Sequence, residues 1–375
     1  MMPVDHGPVP ERRAMKSAGF LFLILSLAAS PLCADHVELV AGGGQNVAPG
    51  LANAVRLNTP FGVDFDSQGN LWFVELQGHR IGRIAAGELT IPAGTGTKGY
   101  SGDGGPGAAA TFNGMHNLAI GPAGEIYVSD TWNQTVRKFD PQSGQVTTMA
   151  GTGEKGFSGD GGPATQTKFG GIYCVSFDTP RDRLVLTDLD NKRIRTVDLK
   201  SGVVQTVAGN GKGGVPADGV AATAAPLVDP RAAIADKEGR IYVLERGGHA
   251  LRVVELDGTI RTIVGTGRKG NTGDNGPALS ATMSGPKHLC LDQDGCVLIA
   301  DTDNHVIRRY DLQTKQITRI AGTGRVGTAG LGGPPDQLEM NQPHGVYVHQ
   351  SGDLYIADSH NHRILKIVRS PKSPN

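Results

Sequence analysis

Short apolar runs divided by turn residues set the pattern of this chain. The most regular run ends in an acid. It occurs as Gly69-Asn-Leu-Trp-Phe-Val-Glu75, Gly124-Glu-Ile-Tyr-Val-Ser-Asp130 and Gly352-Asp-Leu-Tyr-Ile-Ala-Asp358, with three further copies ending at Asp188, Glu245 and Asp301. The six acids are spaced 55, 58, 57, 56 and 57 residues apart. Within the second copy the pattern predicts four strands, a to d, at residues 117–120, 125–129, 135–139 and 146–150. A Gly-Pro-Ala-Gly turn, an Asp-Thr-Trp-Asn loop and an Asp-Pro-Gln-Ser-Gly turn separate them. Four antiparallel strands repeated at this period predict an all-β, six-bladed β-propeller of four-stranded blades.

The two ends of the repeat array support each other. The sixth copy supplies strands a, b and c and stops near Arg369. His36-Val-Glu-Leu-Val-Ala-Gly42 resembles the d segments Gln205-Thr-Val-Ala-Gly209 and Thr318-Arg-Ile-Ala-Gly322. The N-terminal strand is therefore expected to pair into the last blade beside residues 363–368 and close the ring, leaving no open sheet edge. This makes residues 35–369 one propeller and 370–375 a tail. Before it, an apolar run at residues 20–29 follows Arg12, Arg13 and Lys16. That arrangement predicts a signal peptide over residues 1–34, cut after Ala34, with Met1 or Met15 as the initiator. The run is too short to span a bilayer, so export to the periplasm or cell exterior is expected, with no membrane span.

Composition narrows the partners. Glycine contributes 55 of 375 residues, about 15%, without the triplet period of collagen. The 36 Lys+Arg balance 36 Asp+Glu, which removes the electrostatic footprint of a nucleic-acid binder. A monomer is expected. After cleavage Cys174, Cys290 and Cys296 remain, and an odd number cannot all pair within one chain.

The segments Asp301-Thr-Asp-Asn-His-Val-Ile-Arg-Arg309 and Asp358-Ser-His-Asn-His-Arg-Ile-Leu365 resemble the NHL-repeat family of β-propellers. So do the Ala-Gly-Thr-Gly and Gly-Asp-Gly-Gly-Pro connectors, common in exported bacterial members. The resemblance covers residues 36–369. It implies the six-bladed fold and leaves function open, because the family includes protein-binding and RNA-binding scaffolds, sensor domains and a few metal-dependent lyases.

Five matches to a dinucleotide-type glycine motif begin at Gly94, Gly151, Gly209, Gly265 and Gly322. No helix pattern follows any of them, so they read as blade connectors. The six acids read as acceptors of backbone N–H groups from the b–c loop. Glu75 and Glu245 depart from the aspartate of the other copies, and Gly78 and Gly248 stand where those copies carry Asn. Departures from a repeat mark places to look for function, so both glutamates are secondary candidates.

The strongest candidates begin strand a, around the channel mouth. They are Phe61, His116, Tyr173, Arg231, Lys287 and His344, with His288 one position further along. This varied, carboxylate-free ring suits an anionic or polar ligand. The expected function is an exported binding scaffold for a protein, peptide or glycan, through this funnel. The alternative is a metal-dependent lyase or a lactonase-like hydrolase. Peptidyl-hydroxyglycine lyases are similar in fold and hold zinc with three histidines, a tyrosine and an arginine. That resemblance implies a metal role for His116 and His344, but Arg231 stands in the third alternate blade. The cofactors considered are zinc there, or calcium at Asp103, Asp160 or Asp274.

Overall fold

The computed structural model describes residues 35–370, together with residues 1–5 and 7. The expected signal peptide, its cleavage site and its alternative start codon lie essentially outside the described residues. From Ala34 onward the chain forms one compact unit. Helix is limited, among the described residues, to three-residue 3-10 turns, and none is long and apolar enough to cross a membrane.

Strand b is the centre of each sheet, and its residues explain why. Leu71–Glu75, Ile126–Asp130, Ile241–Glu245 and Val297–Asp301 are buried at every position. A strand covered on both faces needs an unbroken apolar run, whereas strand d alternates: Gln145–Ala150 reads exposed, buried, three half-buried, buried. Blade one is built from Pro60–Phe65, Leu71–Glu75, Arg80–Ala85 and Glu88–Ala93. Blade two uses Met115–Ile120, Ile126–Asp130, Thr135–Asp140 and Gln145–Ala150, and blades three to five repeat the order. The a strands pack on one another in cyclic order, from blade one through blade six and back to one, so they surround a central channel. The core lies between blades, where one sheet face packs on the next.

Blade six closes as expected. His36–Gly42 pairs antiparallel with Arg363–Val368, from His36 opposite Val368 to Gly42 opposite Arg363. The chain ends meet there, and the Ser370 N–H donates to Asp35 at 2.8 Å.

The connectors do more than span the gaps between blades. Each runs out to the edge of the next blade, hydrogen-bonds to its strand d, and returns to the channel. Gly50–Leu51, Val220–Ala221 and Gly276–Pro277 form a short fifth strand on blades one, four and five, beyond the four strands expected. Gly104 donates to the Val146 carbonyl in blade two, Gly161 to Val204 in blade three, and Gly332 to Val37 in blade six. The exposed edge of every blade is thus covered by the chain arriving from its neighbour.

The first glycine of each connector is required by two constraints at once. Gly42, Gly94, Gly151, Gly209, Gly265 and Gly322 all have φ between +83° and +97°. A Cβ added at Gly209 would lie 2.1 Å from the Lys192 carbonyl oxygen, and one at Gly151 2.3 Å from that of Gln134. The five glycine-motif matches are this steric requirement repeated.

The connector aspartates are engaged by buried arginines of strand c. Asp103 pairs with Arg137 at 2.9 Å, Asp160 with Arg195 at 2.6 Å and Asp274 with Arg308 at 2.7 Å. A carboxylate already neutralised by a guanidinium is a poor start for a calcium site, which needs several oxygen ligands.

Candidate functional site

The six terminal acids are fully buried. Each accepts the N–H of a residue seventeen positions earlier, or eighteen in blade three: Asn58, Asn113, Gly170, Val228, Ser284 and Asn341, at 2.6–2.8 Å. Those donors lie just before strand a, so the acid ties the end of strand b to the returning connector. The expected donor in the b–c loop is a different group: in blades two, three, five and six it is the side-chain amide of Asn133, Asn191, Asn304 or Asn361, at 2.8 Å. In blades one and four the extra methylene of Glu75 or Glu245 carries the carboxylate into the space of the missing amide. A Cβ on Gly78 would sit 2.1 Å from Glu75 Oε2, and one on Gly248 2.5 Å from Glu245 Oε2. Arg80 then bonds Glu75 at 2.8 Å, and Arg252 bonds Glu245 at 2.9 and 2.7 Å. The contacts of both glutamates are thus a local exchange of partners within the scaffold.

The residues that begin strand a do converge, and more tightly than an open funnel implies. Phe61, His116, Arg231 and His344 are each more than nine-tenths buried, while Tyr173 and Lys287 are half-buried. Phe61 stacks on His344 at 4.1 Å and meets His116 edge-on at 5.3 Å. His116 also packs against Tyr173 at 4.6 Å, and the Arg231 guanidinium lies over the Tyr173 ring at 4.8 Å. His288 lies one residue further along and accepts the Val346 N–H at 3.3 Å. It thereby satisfies a backbone donor of the neighbouring a strand on the channel side, where no fifth strand can pair.

A second ring, two residues after each acid, lies above the first. It comprises Gln77, Trp132, Asp190, Gly247, Asp303 and His360. Trp132 is 40% exposed and packs edge-on against His116, and His360 stacks on His344 at 5.8 Å. Asp303 pairs with Lys287 at 3.0 Å. This ring is as chemically varied as the first, and that variety beside the constant acid was its signal in the sequence. Arg246, one residue before Gly247, pairs with Asp229 at 2.7 Å. The mouth is divided: Phe61, His116, Trp132, Tyr173, His344 and His360 form an aromatic side, and Arg231, Arg246 and Lys287 a cationic side.

The channel also holds a cavity of about 370 Å³ at its other end, where strand a runs into the a–b hairpin. Asn117 and His288 close it toward the mouth, and Asp64, Ser176, Cys290 and Tyr347 line it. Asp64 accepts the N–H groups of Phe65 and Ile120 at 2.7 and 3.0 Å, and burial pushes its carboxyl up to about 6. Cys174, Cys290 and Cys296 are free thiols, and burial raises each of them.

The imidazoles at the mouth are held neutral. His116 donates through Nδ1 to the Gly114 carbonyl at 2.8 Å, and His344 to that of Gln342 at 2.8 Å, which leaves Nε2 of each as an acceptor. Burial, then the charge of Arg231, holds His116 well below 6.5; burial, then Lys287, does the same for His344. Burial lowers His288 to about 4. A depressed imidazole binds protons more readily when the chain is unfolded. Its neutral form therefore favours folding above pH 6.5, and that advantage is lost as the pH falls from there to the folded value. In an NMR titration His288 is expected to titrate near 4, and His116 and His344 well below 6.5. A midpoint near 6.5 for any of them would contradict this burial.

A three-histidine zinc site does not fit these residues. Phe61 packs on both candidate imidazoles, the third alternate blade supplies Arg231, and no three metal-ligating side chains converge among the described residues.

The NHL repeat matches residues 340–367, the b–c hairpin of blade six with the strand before it. NHL repeat-containing protein 2 of Bos taurus is 28% identical over 284 residues, covering 68% of this chain and 39% of that protein. The chain is a six-bladed β-propeller that carries an NHL repeat in its last blade. It matches less than half the length of this relative. Among solved structures, an auxiliary nutrient binding protein from Bacteroides thetaiotaomicron superposes with a TM-score of 0.65 at 14% identity, covering 90% of this chain and 77% of that one. A streptogramin B lyase superposes with a TM-score of 0.53 at 13% identity, covering 91% and 99%. At these identities what is shared is the propeller architecture, and the function of this chain has to be argued from its own mouth residues.

Proposed function

We propose that this chain is an exported NHL-repeat propeller that binds a peptide or glycan ligand at the mouth formed by the starts of the a strands. The division of that mouth into an aromatic and a cationic side carries the reading. A scaffold position serving only blade packing repeats one residue type, as the six acids do, whereas both mouth rings change residue in almost every blade. Aromatic faces such as Trp132 and His360 suit sugar rings or apolar side chains, and the cations suit polar or anionic groups. The nutrient-binding name of one structural neighbour agrees with this reading and with export. The lyase or hydrolase alternative finds less support, because no three metal-ligating side chains converge at the mouth among the described residues. No nucleic acid is expected as a partner, and the protein is expected to act as a monomer.

Trp132 provides the test. Trp72, the other tryptophan, is 2% exposed and bonded to Asp66. Trp132 fluorescence is therefore expected to change saturably with a ligand from a peptide and oligosaccharide panel. Trp132→Ala, followed by calorimetry, is expected to weaken that ligand about tenfold or more, typical of an aromatic anchor. Binding that ignores Trp132→Ala and His360→Ala but is lost in Ser176→Leu would move the site to the cavity at the hairpin end.

A further inference from the structure

Among the described residues, six arginines are more than nine-tenths buried. Five have a carboxylate at salt-bridge distance: Arg137 with Asp103 at 2.9 Å, Arg195 with Asp160 at 2.6 Å, Arg252 with Glu245, Arg308 with Asp274 and Arg363 with Asp358, each at 2.7 Å. Arg231 is the exception. Among the described residues its hydrogen bond is one from an Nη to the Tyr173 carbonyl at 3.3 Å; its buried Nε has no partner, as is also true of Arg137 and Arg195, so the missing carboxylate is what sets it apart. A buried charge without a counter-charge is costly, and the scaffold supplies one in the other five cases.

The charge balance around Arg231 is unequal in a definite way. Arg246 is matched by Asp229, Lys287 by Asp303, and Asp190 of the outer ring by Lys155. His116 and His344 are fixed through Nδ1 and neutral. One positive charge is left over. It sits on a planar fork whose Nε edge is unused, with the Tyr173 ring against the guanidinium face.

We infer that Arg231 receives a carboxylate of the ligand, on a flat body that lies along Tyr173 and the aromatic side. The inference rests on the reading of the mouth as the binding site. A single carboxylate matches the one unbalanced charge and the fork's two-donor geometry. A phosphate dianion would leave an excess negative charge, and a neutral amide would leave the guanidinium unbalanced.

Calorimetry on the full chain with benzoate, benzamide and inorganic phosphate tests this, beside Arg231→Met and Arg252→Met. Benzoate is expected to bind at least tenfold more tightly than benzamide or phosphate, and Arg231→Met is expected to erase that preference. Ligand-free Arg231→Met is expected to melt at or above the wild-type temperature, because an unbalanced charge has been removed. Arg252→Met, which strands Glu245, is expected to melt several degrees lower. Equal binding of benzoate and benzamide through Trp132 would overturn the carboxylate assignment and leave the mouth as a binding site. Preferred phosphate would overturn it in favour of a different oxyanion. If no probe binds, or if Arg231→Met destabilises the free protein as Arg252→Met does, Arg231 is a structural residue and the inference fails.

Discussion

A chain that begins at residue 44 is expected to lose its cooperative thermal transition and to aggregate. The missing segment contributes the outer strand of blade six, His36–Gly42, whose Val37 and Ala41 are buried and whose backbone pairs along Arg363–Val368. Its removal uncovers Ile364, Leu365 and Ile367, all 2% exposed or less, and leaves the Gly332–Gly333 connector without its Val37 partner. Each lost apolar side chain is worth roughly 1.5–3 kcal/mol, and each lost ladder bond about 1 kcal/mol. The sum is on the order of 10 kcal/mol, comparable with the whole stability of a typical domain. The loss also opens a sheet edge inside what had been a closed ring, the state most prone to strand addition.

A permuted chain separates loss of closure from mere loss of residues. Ser370 and Asp35 already touch, so joining them directly makes a three-residue hairpin loop of Arg369, Ser370 and Asp35. The permutant starts at residue 44, runs to 370 and continues through 35–43. Its blade six then has the a-b-c-d order of every other blade. It is expected to melt within a few degrees of the parent by circular dichroism and calorimetry. If the truncated chain melts unchanged, or the permutant fails to fold, ring closure is not what the N-terminal strand provides.

The closing strand was legible because a repeat leaves a vacancy that only a matching segment can fill. The same reasoning located the blades and placed Phe61, His116, Tyr173, Arg231, Lys287 and His344 in one ring. Depth was not legible. Periodicity assigns a residue to a level of the channel but does not say that Phe61 stacks on His344 and fills the mouth. The outer ring with Trp132 and His360 escaped notice for a related reason. Its positions fall inside a loop otherwise dominated by the constant acid and asparagine, and only the folded 3-10 turn lifts them over the mouth. The connectors' second role, covering the next blade's edge, depends on contacts between segments some forty residues apart in sequence that no local pattern encodes. The unbalanced charge of Arg231 became visible only by comparison with five other buried arginines, each with its acid in place.

The glutamate and glycine of blades one and four show most directly what distance adds to sequence. Read along the chain, Glu245 and Gly248 are two departures. In the structure they are one unit, because the longer acid occupies the volume that an asparagine amide fills elsewhere. Gly248→Asn alone is therefore expected to be severely destabilising, since its Cβ would lie 2.5 Å from Glu245 Oε2. Glu245→Asp alone withdraws the carboxylate from Arg252, whose Nε and Nη bonds to it are 2.9 and 2.7 Å, and leaves the amide's space empty. Each single substitution is expected to cost about 2–4 kcal/mol, the range for overpacking or for weakening a buried ion pair. The double variant rebuilds the arrangement of Asp301 with Asn304, where the amide bonds the acid at 2.8 Å and Arg308 stands 3.4 Å away in the place of Arg252. It is expected to recover most of the loss, giving a coupling of about 2 kcal/mol or more in a denaturant-unfolding cycle, against a few tenths for unconnected sites. Simple additivity of the two losses would mean that the departures are independent. Glu245 would then again need a role of its own. Coupling makes them two halves of one packing solution, and leaves the varied rings at the mouth as the positions on which the proposed ligand binding rests.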